Sequence, residues 1–148
     1  FAFEIIDRTY YSRAKASTLE GGHAIVAGSN YGQGSSREHA ALAPRYLGLR
    51  VALVKDFARI HWQNLVNFGV LPLTFVDPDD YKLLENGDVL QLSNLREAVK
   101  SAKEFPIAIK GENSQILVRH SMSERQIDVM LEGGMINWAK ARQDETHV

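Results

Sequence analysis

Short apolar runs punctuate the first half of the chain at intervals that fit strands separated by helices. Ala24 to Gly28, Arg50 to Val54 and Val70 to Val76 are rich in Val, Leu, Ile and Ala, a length and composition that suit buried strands. Between them the spacing predicts a helix from about Ser36 to Leu47. Pro44 removes a backbone bond there and is expected to kink or stop it, and Gly48 is a natural terminator. A second helix is expected from Asp56, as its cap, to about Phe68, with Gly69 past its end. Ahead of these, Phe1 to Ile6 suits an arm or edge strand, and Tyr11 to Lys15 a short helix. Such alternation implies α/β architecture with a parallel core and right-handed crossovers.

The second half changes character. Asp77-Pro78 suits a helix cap followed by proline at the first helical position, opening a short helix to Leu84. Asn86-Gly87-Asp88 is a turn signal before a strand from Val89 to Leu92. Pro106 to Lys110 and Gln115 to Arg119 flank Gly-Glu-Asn-Ser and predict a β-hairpin. Ser123-x-x-Gln126 is a capping-box signature for a helix to about Leu131. Gly133-Gly134 breaks that helix, and a last one is expected to about Arg142. The pattern therefore adds antiparallel strands to a parallel core, in one domain spanning 1–148.

Candidate chemistry concentrates in Gly28-Ser-Asn-Tyr-Gly-Gln-Gly-Ser-Ser-Arg-Glu-His39, between the first strand and the first long helix. The first backbone N–H groups of a helix lack internal partners and carry partial positive charge. Glycines let the main chain approach a ligand. Ser35, Ser36 and Arg37 at such a place suit an oxygen-rich anion such as a carboxylate or phosphate. A P-loop is excluded by spacing, because no lysine lies between Lys15 and Lys55. Arg37 stands where a dinucleotide fingerprint needs its third glycine, and a nucleophile elbow would need glycine at Arg37 or Glu38.

These residues carry a family resemblance. Tyr31-Gly-Gln-Gly-Ser-Ser-Arg-Glu-His-Ala-Ala-Leu-Ala-Pro44 resembles the active-site segment of the aconitase superfamily. Phe57-Ala-Arg-Ile-His61, Asn64-Leu65 and Leu71-Pro-Leu-Thr-Phe75 match in the same order and spacing. His120 to Ile127 and Gly133-Gly134 resemble the tail of that family's C-terminal domain. The resemblance implies a layered β/β/α swivel domain. It also implies a hydro-lyase of the tricarboxylic acid cycle, interconverting citrate and isocitrate through cis-aconitate. In that family the first serine of the pair is the base, here Ser35, while Ser36 and Arg37 bind substrate carboxylates. A [4Fe-4S] cluster is implied for the full enzyme, held by other domains or by a large partner subunit.

Aconitase is favoured over the small subunit of isopropylmalate dehydratase, which usually has cysteine where Gln33 stands and a different run after His39. That small subunit, a homoaconitase subunit, and a catalytically silent anion-binding module are the alternatives. Retention of both serines and Arg37 argues against the silent module.

Other side chains have plainer roles. Ser35-x-x-Glu38 is also a capping box. Glu38, His39 and Tyr31 suit helix-start, interdomain or packing roles. His61 suits a hydrogen-bonded structural or interface histidine, and Arg59 a salt bridge within the domain. Asp77, Asp79 and Asp80 suit a helix start. His23, His120 and His147 lack metal-ligand spacing, so no metal site is expected.

Composition narrows the partners. A formal charge of −1 leaves no electrostatic footprint for nucleic acid or an acidic membrane. No stretch suits a membrane span or signal peptide, and a cytoplasmic location is expected. The chain opens on Phe1 rather than methionine, which suggests an excised domain. It contains no cysteine, the usual ligand of iron–sulfur clusters. The isolated domain is accordingly expected to lack hydratase activity.

Overall fold

Three apolar runs form the parallel half of one mixed sheet in the computed structural model, which describes residues 12–14, 22–33, 38–92, 94–111 and 113–146. They are β1 (His23–Ala27), β2 (Leu49–Val54) and β3 (Leu71–Phe75). β1 pairs with β2 and β2 with β3, both in parallel. The crossovers contain α1 (His39–Tyr46) and α2 (Arg59–Asn67). Beyond β3 the sheet turns antiparallel through β6 (Gln115–Arg119), β5 (Glu104–Ile109) and β4 (Leu90–Gln91), giving the order β1-β2-β3-β6-β5-β4. A parallel core with added antiparallel strands is what the sequence led us to expect.

Side-chain period explains the placing of the core. Along β2, Val51 and Leu53 enter one apolar cluster with Leu71, Leu73, Phe75, Ile107, Ile116 and Val118. Leu49 and Ala52 enter a second cluster with Ala41, Leu65 and Val70. Alternate residues of a strand point to opposite faces, which separates Val51 and Leu53 from Ala52. Leu49 departs from the alternation at the register shift between the His23 and Ala24 pairings. This central strand is covered on both sides and reads as a nearly continuous apolar run. The β5–β6 hairpin is covered on one face only, and its burial alternates buried and exposed along each strand.

Several local expectations need correction. Among the described residues β1 is an edge strand, half-buried throughout rather than buried. α1 accommodates the buried Pro44 and ends at Tyr46, with Gly48 at φ +99° just beyond, where a left-handed backbone stops the helix. α2 is capped by the backbone of Ala58, with no side-chain cap, so Asp56 is not its cap. A helix not expected from sequence, α3 (Leu95–Ser101), precedes β5. The final helix, α5 (Met135–Thr146), runs past Arg142. Expectations for Phe1 to Ile6 lie outside the described residues, as do the ends of the short helix, of which 12–14 is helical.

Other expectations are met. Asp77 caps a 3-10 helix (Pro78–Leu83), its Oδ1 accepting from the Asp79 N–H at 3.0 Å. Ser123 opens α4 (Glu124–Leu131) with both arms of the capping box in place, at 3.3 Å and 2.8 Å.

Candidate active site

The parallel strands set the site. Their carboxyl ends release two loops side by side, residues 28–33 after β1 and residues 55–58 after β2. Open α/β sheets bind ligands at this edge. The two loops are stitched together. Tyr31 bridges to Phe57 in parallel. The Tyr31 N–H donates to the Asp56 carbonyl at 3.1 Å, and the Ala58 N–H donates to the Tyr31 carbonyl at 2.9 Å. The carboxylate of Asp56 adds a third tie, with Oδ1 accepting from the Asn30 N–H at 2.6 Å.

Within the first loop, Gln33 N–H closes a turn on the Asn30 carbonyl at 3.1 Å. Gly32 occupies its third position at φ +89°, which a type II turn reserves for residues tolerating positive φ. Space gives a second reason for glycine. A Cβ added there would overlap Cβ, Cγ and Cδ2 of His61. The Tyr31 ring stands edge-on to the His61 ring, 5.1 Å between centroids, and edge-on to Phe57 at 6.1 Å. Tyr31 is thus a packing residue in a built turn.

His61 is 2% exposed. Burial pushes its pKa below the ordinary 6.5, favouring the neutral ring. Of the two roles expected for His61, the hydrogen-bonded structural one is not met among the described residues, where neither ring nitrogen has a partner, and the interface role is the one left. Arg59 has no ion pair among the described residues either, contrary to expectation. It lines a cleft of about 520 Å³ with Asp56, Phe57, Trp62, Thr74 and Arg119. That cleft lies where β3 and β6 part company, since the β3–β6 ladder is limited to Thr74 and Phe75 of β3. Pro72, with no N–H to offer, lines the gap. Arg119 is engaged with Glu104, its Nε donating at 2.8 Å.

His120 is buried and structural. Its Nδ1 accepts from the Met122 N–H at 3.2 Å, and Nε2 lies 3.0 Å from the carbonyls of Val99 and of Ala102. His147 and the sequence candidates Ser35, Ser36 and Arg37 lie outside the described residues. The residues missed from sequence are Asp56 and His61 in their present roles. Asp56 suggested a helix cap because it precedes an apolar periodic segment, and nothing local announced that its partner lies 26 positions earlier.

Residues 7–78 match the family model of the aconitase C-terminal domain. Homocitrate dehydratase, mitochondrial, of Saccharomyces cerevisiae is 46% identical over 121 residues, covering 77% of this chain and 15% of that protein. The chain belongs to the aconitase C-terminal domain family. A putative mitochondrial aconitate hydratase of Emericella nidulans is 45% identical over 118 residues, covering 76% of this chain and 15% of its own length. The chain thus spans about one-seventh of the curated relatives it matches. Among solved structures, a 3-isopropylmalate dehydratase (leuD) from Methanocaldococcus jannaschii superposes with a TM-score of 0.73 at 28% identity. The match covers 96% of this chain and 74% of that one.

Two consequences follow for this aconitase-family domain. The expectation of a cytoplasmic location is overturned, because these curated relatives are named as mitochondrial proteins. Nothing in the composition of a folded domain of near-neutral charge distinguishes those compartments. The residues here also do not fit the role of cluster ligands. The sequence has no cysteine, and the described residues contain no group of three potential metal-binding side chains.

Proposed function

We propose that this chain is the swivel domain of a mitochondrial aconitase-type hydro-lyase acting on a tricarboxylate, with Ser35 as base and Ser36 and Arg37 as carboxylate-binding residues. The observation that carries the reading is the locked Asn30–Gln33 turn. Ser35 follows Gln33 by two residues, which span at most roughly 7 Å of extended chain. A turn tied to the β2 loop by Asp56, Phe57 and Ala58 supports the reading, because it holds Gln33, two positions before Ser35 in sequence, at the carboxyl edge of the parallel strands.

The chemistry follows from the residue types. Dehydration of citrate breaks a carbon–hydrogen bond next to a carboxylate and the carbon–oxygen bond of the adjacent hydroxyl. The proton passes to the Ser35 Oγ alkoxide, the electron pair of the broken carbon–hydrogen bond forms the new double bond, and the hydroxyl departs, a departure that a Lewis-acidic cluster held elsewhere would assist. A serine hydroxyl is too weak an acid to ionise unaided near neutral pH. The Arg37 guanidinium and oriented backbone N–H groups in a closed, water-poor site favour the alkoxide. Arg37 can also fork onto one carboxylate with two parallel hydrogen bonds, which lysine cannot do. Ser36 donates to a further carboxylate oxygen.

The cluster belongs to other domains or to a large partner subunit, so the isolated chain is inactive. Pure chain that dehydrates citrate would contradict this. A second reading follows from the Saccharomyces cerevisiae relative, named a homocitrate dehydratase. In it the same residues serve a tricarboxylate one methylene longer. Assaying the full-length enzyme with citrate and homocitrate separates the two by kcat/KM, and turnover of neither overturns the proposed function.

A further inference from the structure

His61 is a buried side chain, 2% exposed, whose two ring nitrogens, Nδ1 and Nε2, both lack a hydrogen-bond partner among the described residues. Buried polar groups in folded proteins almost always find partners. One helical turn on, Asn64 is 8% exposed and its Nδ2 is unpartnered among the same residues. The ring also bears directly on the candidate site. Gly32 lies against it so closely that no side chain fits between them, and the Tyr31 ring packs on its edge at 5.1 Å.

Shape alone does not call for histidine here. Phenylalanine would fill a similar space and pack edge-on to Tyr31 with no nitrogen to desolvate. We propose that His61 is a positioning residue of the hydro-lyase site. Its ring is the seat on which the Asn30–Gln33 turn rests, and its nitrogens take a hydrogen-bond partner in the assembled, substrate-bound enzyme. The inference rests on the reading above, since the turn matters for catalysis only if Ser35 is the base.

Its chemistry is that of a neutral imidazole, which donates from one nitrogen and accepts at the other. Burial favours that neutral form. Anchored in α2, the ring moves only with the helix, whose Leu65 and Val66 are fully buried. The turn is therefore held from beneath by His61 and from the side by Asp56. Both supports act on the turn that precedes the serine pair in sequence.

The test uses the full-length, cluster-loaded enzyme. His61→Phe is expected to lower kcat at least tenfold while KM for citrate changes less than threefold. His61→Gln, which restores a donor and an acceptor, is expected to recover at least a third of the lost rate on a logarithmic scale. Wild-type kcat in His61→Phe would overturn the inference, as would equal loss in both variants. If His61→Phe does not fold, His61→Gln against His61→Leu supplies the same contrast. Wild-type enzyme active on neither citrate nor homocitrate is a different failure, that of the proposed function itself.

Discussion

The carboxylate of Asp56 accepts a hydrogen bond from the backbone N–H of Asn30 at 2.6 Å, joining the loop after one parallel strand to the loop after its neighbour. Asn30 itself sits at φ +55°, a left-handed conformation that asparagine tolerates better than most side chains. One exposed charge–amide contact thus stabilises an unusual backbone at the root of the candidate site.

Removing that contact should be measurable. Asp56→Ala is expected to lower stability by about 1 kcal/mol, below the roughly 1.5–3 kcal/mol typical of a hydrogen bond to a charged group because solvent reaches it. Asp56→Asn keeps an acceptor oxygen and should lose less than half as much. Equilibrium urea unfolding reads both. Equal midpoints for wild type and Asp56→Ala would show that the tie contributes nothing.

Gly32→Ala should be more severe. Positive φ at a non-glycine residue costs about 1–3 kcal/mol, and the new methyl group meets the His61 ring. Pairing it with His61→Gly, which removes the Cβ as well as the ring, opens space for the methyl but leaves the backbone cost. The double variant should therefore be more stable than the sum of the single losses implies, by about 1 kcal/mol. Strict additivity would mean that Gly32 and the ring do not press on one another.

His120 offers a check far from the site. With Nδ1 accepting from the Met122 N–H, the proton must sit on Nε2, facing the carbonyls of Val99 and Ala102. His120→Phe strands these groups and is expected to cost about 1–3 kcal/mol. Nitrogen NMR should find the Nε2–H tautomer in the wild type, and the opposite tautomer would reverse the assignment.

Buried His61 and half-buried His23 predict a pH dependence with a definite sign. Desolvation lowers the pKa of His61, and desolvation followed by repulsion from Arg50 and Arg13 lowers that of His23. Between the lowered values and the ordinary 6.5 the unfolded chain binds more protons than the folded one. Stability therefore rises with pH through that window. The stability held by the neutral rings is fully present above 6.5 and is lost as pH falls through the folded values. Unfolding midpoints between pH values of about 7.5 and 5 should fall on acidification, with a shallower slope in His61→Phe. An unchanged slope in that variant would remove His61 from the account.

Much of this architecture was legible in the sequence because it rests on local rules. The apolar runs of β2 and β3, the Ser123–Gln126 capping box and the Asp77-Pro78 helix start all came out as expected. What stayed hidden was non-local. Asp56 carries a helix-cap signature, but its carboxylate is taken by Asn30 across the strand pair, and the Ala58 N–H is taken by the Tyr31 carbonyl. His61 reads as one more residue on a helix until the topology brings Gly32 onto its ring. The seven-residue α3 is too short for hydrophobic periodicity to declare itself, and Val99 is its one buried residue. The serine pair is proposed from its motif and family resemblance; Ser35 and Ser36 lie outside the described residues, and the described turn ends at Gln33 just before them in sequence.

The central claim, Ser35 as the base, is tested most directly by the turnover of Ser35→Ala in the full-length, cluster-loaded enzyme, measured as cis-aconitate formed from citrate. A loss of about 10²–10⁴-fold in kcat, in the range of a missing proton-transfer group, with substrate binding and fold retained, is the predicted result. Wild-type turnover in Ser35→Ala would contradict it.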